Sequence, residues 1–116
     1  MNKMTQENEK PFFELRQYII KEGQIDRWVK FMDTVLIPFQ RSCGMVIVGS
    51  WFVREANQYV WIRRFEGESN KTELYKAAYE NDYWLNEAKA LVGTMVDREA
   101  GITVTQMEAS PLSIVR

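Results

Sequence analysis

The sequence predicts a single α+β domain on the ferredoxin-like plan, a four-stranded antiparallel sheet with its helices on one face. Two observations lead there. Apolar residues recur at the two-residue step of a strand or the three- and four-residue steps of a helix, in the order strand, helix, strand, strand, helical region, strand. A chain of 116 residues with 46% hydrophobic and 13% aromatic content is one domain's worth, with enough apolar material to bury a core.

Residues 1–11 are polar and unpatterned up to Pro11 and are expected to form a frayed tail before a domain over residues 12–109. From Phe12 to Ile20, FFELRQYII alternates, with Phe13, Leu15, Gln17 and Ile19 on one side and Glu14, Arg16 and Tyr18 on the other, which predicts the first strand. After Gly23, the apolar residues Ile25, Trp28, Val29, Met32, Leu36 and Phe39 share one helical stripe, so a helix is expected from about Gln24 to Ser42. Pro38 lies inside it and predicts a kink, and Gly44 suits the left-handed residue that closes a helix.

Met45–Arg54 and Tyr59–Glu66 are rich in β-branched and aromatic residues and are joined by Glu55-Ala56-Asn57-Gln58, the pattern of a hairpin. Ser69 or Asn70 is placed to cap a helix running to about Glu80, and Asn81-Asp82 starts another that carries Trp84, Leu85, Ala88, Leu91 and Val92. The fourth strand is expected over Ile102–Ala109, with residues 110–116 as a C-terminal tail.

In this order of elements the helices cover one sheet face and leave the other bare. Either Tyr59, Trp61 and Phe65 or their neighbours Val60 and Ile62 face outward, and neither set is polar. An uncovered apolar face of that size predicts an interface, and two such sheets face to face make a closed homodimer.

Composition narrows the function. Fifteen Lys and Arg against sixteen Asp and Glu leave a net charge of -1, which provides no field for phosphate backbones or anionic lipid and argues against nucleic acid as a partner. The sequence has no apolar run of the roughly 20 residues a bilayer span needs and no apolar secretory segment near Met1–Lys10, so a cytoplasmic protein without a membrane partner is expected. The absence of His and the single Cys43 disfavour imidazole-held metals, Ser-His and Cys-His nucleophiles and an internal disulfide, and no cofactor is expected.

Several segments look familiar in combination. They are Glu14-Leu15-Arg16-x-Tyr18, followed by Gly23 and a helix with Pro38; Gly44–Val48 leading to Gly49; Tyr59–Phe65; Ala78-Tyr79 with Trp84 five residues on; and Thr94-Met95-Val96-Asp97. In order and spacing, from Phe12 to about Met107, the chain resembles the NIPSNAP family. That resemblance implies a dimeric α/β-barrel of ferredoxin-like subunits, related in fold to small cofactor-independent monooxygenases, and implies no settled reaction. The sequence departs from one common form of the family, which has Trp-Arg-Tyr where Arg63-Arg64-Phe65 stand.

Arg16 and Arg63 lie in mid-strand, where a buried guanidinium demands a carboxylate or a bound anion; Glu14, Glu66 and Asp97 are the candidate partners. They either grip an acidic ligand or form a structural ion pair. Tyr18, Tyr79, Trp51, Trp61, Trp84 and Met95 are candidates for an aromatic pocket between sheet and helices, or for plain core. Asp97 either caps its own turn or, if buried in a cleft, acts as a base. Two functions are open: a homodimeric module that binds a small aromatic or acidic ligand, or, as the resemblance in fold implies, a monooxygenase-like enzyme acting on an aromatic or polyketide-like compound. No catalytic residue is singled out.

Overall fold

The computed structural model describes residues 9–116, so the expected N-terminal tail lies outside the described residues except for its last three positions. Strands β1 (Phe12–Ile19), β2 (Val46–Val53), β3 (Gln58–Phe65) and β4 (Ile102–Met107) form one antiparallel sheet in the order β2-β3-β1-β4. This is the ferredoxin-like arrangement that the order of elements predicts.

The first helix runs as α1 (Ile25–Phe31), a π-helical turn (Met32–Leu36) and α2 (Ile37–Ser42). Pro38 explains the interruption. It falls in the first turn of α2, where its missing N–H costs nothing, and the expected kink appears upstream as the turn in which Ile37 N–H donates to Met32 O. The extra residue in that turn rotates the buried stripe, so that Ile37 and Gln40 are buried while Phe39 is only half-buried. Gly44 closes the segment at φ +101°, a left-handed backbone that favours glycine; a Cβ there would come within 2.9 Å of Leu74 Cδ2, the tip of a side chain that can shift.

A short 3-10 turn (Arg54–Ala56) and Asn57 at φ 49° connect β2 to β3. Helix α3 (Glu68–Tyr79) begins earlier than expected, with Gly67 at the cap position, two residues ahead of Ser69. The Glu9 carboxylate accepts from Ser69 N–H at 2.7 Å, while Asn70 turns back to accept from Glu66 N–H at 2.9 Å. Asn81 caps as expected, accepting from Trp84 N–H at 2.8 Å, and leads into a second π-helical turn (Trp84–Ala88) and α4 (Lys89–Gly93). β4 ends at Met107, two residues short of the expected Ala109. Beyond it the C-terminal segment is held by Arg64 Nε, which donates to Arg116 O at 2.6 Å.

The register decides which face is covered. Glu14, Arg16 and Tyr18 of β1 lie opposite Arg63, Trp61 and Tyr59 of β3, on the face under the helices. Leu15, Val60, Ile62 and Trp51 share the bare face, where Trp51 is 53% exposed and Val46 and Val53 are also exposed. The two parities of β3 are thus told apart by the helices. Their packing puts the larger rings inside: Trp28 is fully buried, 5.7 Å from the Tyr18 ring and edge-on to Tyr59 at 5.9 Å.

Candidate functional site

The buried face of the sheet carries charge. Arg63, with no exposed surface, is opposite Glu14, and its Nη2 and Nε reach Glu14 Oε1 at 2.6 and 3.0 Å. Its remaining donors are absorbed by Gln40 Oε1 at 2.9 Å, Tyr79 Oη at 2.7 Å and Tyr75 Oη at 3.0 Å. Tyr75 in turn donates to Glu14 Oε2. Arg63 is therefore a fully satisfied structural cation.

Arg16 is placed differently. Two residues from Glu14 on the same side of β1, its Nη1 reaches the same Oε1 at 3.0 Å, and its Nε donates to Tyr18 Oη at 2.9 Å. Its Nη2 donates to no described residue, and Arg16 walls a cavity of about 240 Å³ between sheet and helices. The sheet gives this cavity Arg16, Tyr18, Trp61 and Ile102, the first helix Trp28, Leu36 and Gln40, and the later helical segments Tyr79, Trp84 and Val92. Arg98, on the loop before β4, stands at its edge with its guanidinium 5.7 Å from the Trp84 ring.

The walls offer donors. Tyr18 Oη and Tyr79 Oη accept from Arg16 and Arg63, and neither hydroxyl donates to a described residue. Trp28 and Trp61 each bury an indole N–H that has no acceptor among the described residues. Among the described residues no carboxylate lines the cavity. Both π-helical turns border it, through Leu36 and Trp84, a local irregularity that recurs at functional sites.

Electrostatics keep the cluster ionised. Burial would raise the Glu14 carboxyl, yet Arg63, Tyr75 and Arg16 outweigh it and hold the group below its usual range. Burial opposes the charge on Arg16, but the neighbouring phenol oxygens and Glu14 raise its pKa above the ordinary value. Burial pushes Tyr18 upward and Tyr75 to about 12, so both are neutral phenols near neutral pH.

Of the candidates from the sequence, Arg16, Tyr18, Trp61, Tyr79 and Trp84 are brought together around this one cavity. Arg63 lies behind its wall, bonded to Tyr79, and Met95 is buried in the hydrophobic core. Two placements correct the expectation of a shared pocket. Trp51 is on the opposite face of the sheet, because β2 alternates and the bulge between Ile47 and Gly49 shifts its register. Asp97 is exposed and accepts from Glu99 N–H at 3.0 Å and Ala100 N–H at 3.2 Å, the local turn-capping role.

Glu14 proves to be the partner of both arginines, whereas Glu66 pairs with Arg64. Gln40 and Tyr75 were not anticipated. Gln40 falls four residues after Leu36, a polar residue continuing an apolar stripe, and Tyr75 precedes Tyr79 by one helical turn. Among the described residues no group of three or more His, Cys, Asp or Glu is gathered to hold a metal, and no helix is long and apolar enough to cross a membrane.

No protein-family model and no curated protein matches the chain. Solved structures do. A NIPSNAP family protein from Agrobacterium tumefaciens is similar with a TM-score of 0.80 at 15% identity, over 91% of this chain and 99% of that one. A second Agrobacterium tumefaciens protein, a NIPSNAP family member with unknown function, has a TM-score of 0.79 at 21% identity, over 94% and 96%. A Bacteroides thetaiotaomicron protein provisionally assigned as an antibiotic biosynthesis monooxygenase is more distant, with a TM-score of 0.58 at 14% identity over 90% and 91%. At such identities the likeness concerns architecture, and the chain has a NIPSNAP-type fold, an α+β ferredoxin-like domain.

Proposed function

We propose that this protein is a homodimer that binds a small aromatic or acidic molecule in the cavity between sheet and helices. The observation that carries the reading is Arg16, a nearly buried guanidinium with an unused Nη2 at a cavity walled by Trp28, Trp61, Tyr79 and Trp84. A cavity of about 240 Å³ lies just under the roughly 300–1,000 Å³ of common ligand pockets, which suits a compact ring compound. The dimer is supported by the bare face of Leu15, Trp51, Val60 and Ile62, which is too apolar to face water comfortably.

Binding is favoured over monooxygenase-like turnover, the second reading that the distant fold likeness suggests. Proton abstraction needs a base at the ligand. Glu14 is tied to two arginines, Asp97 points to its own turn, and Tyr18 is held as a phenol. A thermal-shift screen of small aromatic acids tests the reading, since a ligand of the folded state raises the midpoint. Concentration-dependent rises are expected, and a flat response across the set overturns it. Oxygen consumption with any compound that binds would return the reading to catalysis.

A further inference from the structure

The cavity lies beside an uneven charge count. Arg16 and Arg63 are permanently charged, and among the described residues Glu14 is the one carboxylate that pairs with them, through the same oxygen, Oε1. Lys71 Nζ, at 3.8 Å from Glu14 Oε2, adds a third positive group on the far side of that carboxylate. The polyphenol shell around the cluster supplies oxygen atoms and no further negative charge. Because Arg63 consumes the closest contact and all of its donors, the uncompensated charge resides on Arg16, at the cavity wall.

The polar wall groups reinforce that sign. The Arg16 Nη2 and the hydroxyls of Tyr18 and Tyr79 have protons to give and no described residue to take them. At the edge, Arg98 is in no ion pair among the described residues. A cation or an amine would be repelled by Arg16 and Arg98, and a donor-rich sugar would face the unused donors of Arg16, Tyr18 and Tyr79. An acceptor-only anion would satisfy both charge and hydrogen bonds, and a carboxylate matches a guanidinium edge in shape. The rest of the wall, Trp28, Trp84, Leu36 and Val92, is apolar or aromatic and takes a flat ring.

From this we infer that the ligand is a compact aromatic monocarboxylate, its carboxylate on Arg16 with the Tyr18 and Tyr79 hydroxyls and its ring against Trp28 and Trp84. The inference rests on the reading of the cavity as a ligand site and specifies its chemical class. Arg98 adds a longer-range attraction at the entrance and carries no direct bond in this arrangement.

Calorimetric titration with benzoate and 2-naphthoate, each beside its neutral amide, tests it. The acids should bind about tenfold or more tightly than the amides, as expected for a hydrogen bond to a charged group. Arg16→Met should abolish that preference while leaving amide binding within a few-fold. Arg98→Ala, an exposed change that leaves the core intact, should weaken the acids a few-fold in low salt and the amides not at all. Should Arg16→Met fail to fold, the Arg98 variant and the acid-to-amide ratio of the unaltered protein still decide. Equal binding of acid and amide overturns the carboxylate inference and leaves the cavity reading standing. Acid binding unchanged in Arg16→Met overturns the placement, and binding by none of the four probes overturns both readings.

Discussion

Glu14 and Arg63 face each other across β1 and β3 and form a 2.6 Å ion pair with neither side chain more than 2% exposed. The pair explains how two charged strand residues occupy the covered face of the sheet. Each has its partner directly opposite, and Gln40, Tyr75 and Tyr79 complete the hydrogen bonds from the helices. The same pair leaves Arg16 as the charge available to the cavity.

Breaking the pair from one side should be costly. Glu14→Gln or Arg63→Met strands a buried charge or its partners, with an expected loss of about 3–5 kcal/mol in urea unfolding. Replacing both with apolar residues of similar volume should cost much less than the sum of the single changes. Additive losses would mean that the two residues do not act as a unit.

The pH dependence has a definite sign at each end. The folded Glu14 carboxyl is held below its unfolded value of about 4.3, so its stabilisation is complete above that pH and declines as the medium becomes more acid. Burial raises Tyr59 and Tyr75 to about 12 from an ordinary value near 10. Their stabilisation is complete below about pH 10 and lost as pH rises toward 12. Unfolding midpoints across pH should fall at both ends; Glu14→Gln should flatten the acid limb and, because the Glu14 carboxylate also holds the Tyr75 proton, soften the alkaline limb in part.

Gly44→Ala should lose at least about 1–2 kcal/mol, the cost of a left-handed backbone for a residue with a Cβ. Chemical unfolding measures the loss, and an unchanged midpoint would contradict the cap.

Trp51 and Asp97 separate the bare face and the turn from the cavity. Trp51→Glu should shift the protein toward monomer in sedimentation velocity while leaving a folded spectrum, because the change places charge on the exposed apolar face. Asp97→Ala should cost about 1 kcal/mol through two lost turn contacts and leave probe affinity unchanged.

The order of elements and most boundaries were legible because periodicity and glycine chemistry are local. The alternation of β1, the cap at Asn81 and the left-handed Gly44 each depend on a few neighbouring residues. The covered parity of β3 was not legible, since Tyr59, Trp61 and Phe65 and their neighbours Val60 and Ile62 are all apolar. Charge usually marks the outer face of a strand. Here Glu14, Arg16 and Arg63 invert the rule because their partners come from strands and helices distant in sequence. Five cavity residues were recognised from residue type, while Trp28 and Leu36 looked like part of an ordinary helical stripe and Arg98 was not singled out.

The central claim, that the cavity beside Arg16 takes a ligand, is tested most directly by the indole N–H resonances of the four tryptophans during titration with 2-naphthoate. Trp28, Trp61 and Trp84 wall the cavity, and Trp51 is on the other face of the sheet as an internal control. The account predicts saturable shifts of the first three with Trp51 unmoved. Shifts confined to Trp51, or none at saturating probe, would contradict it.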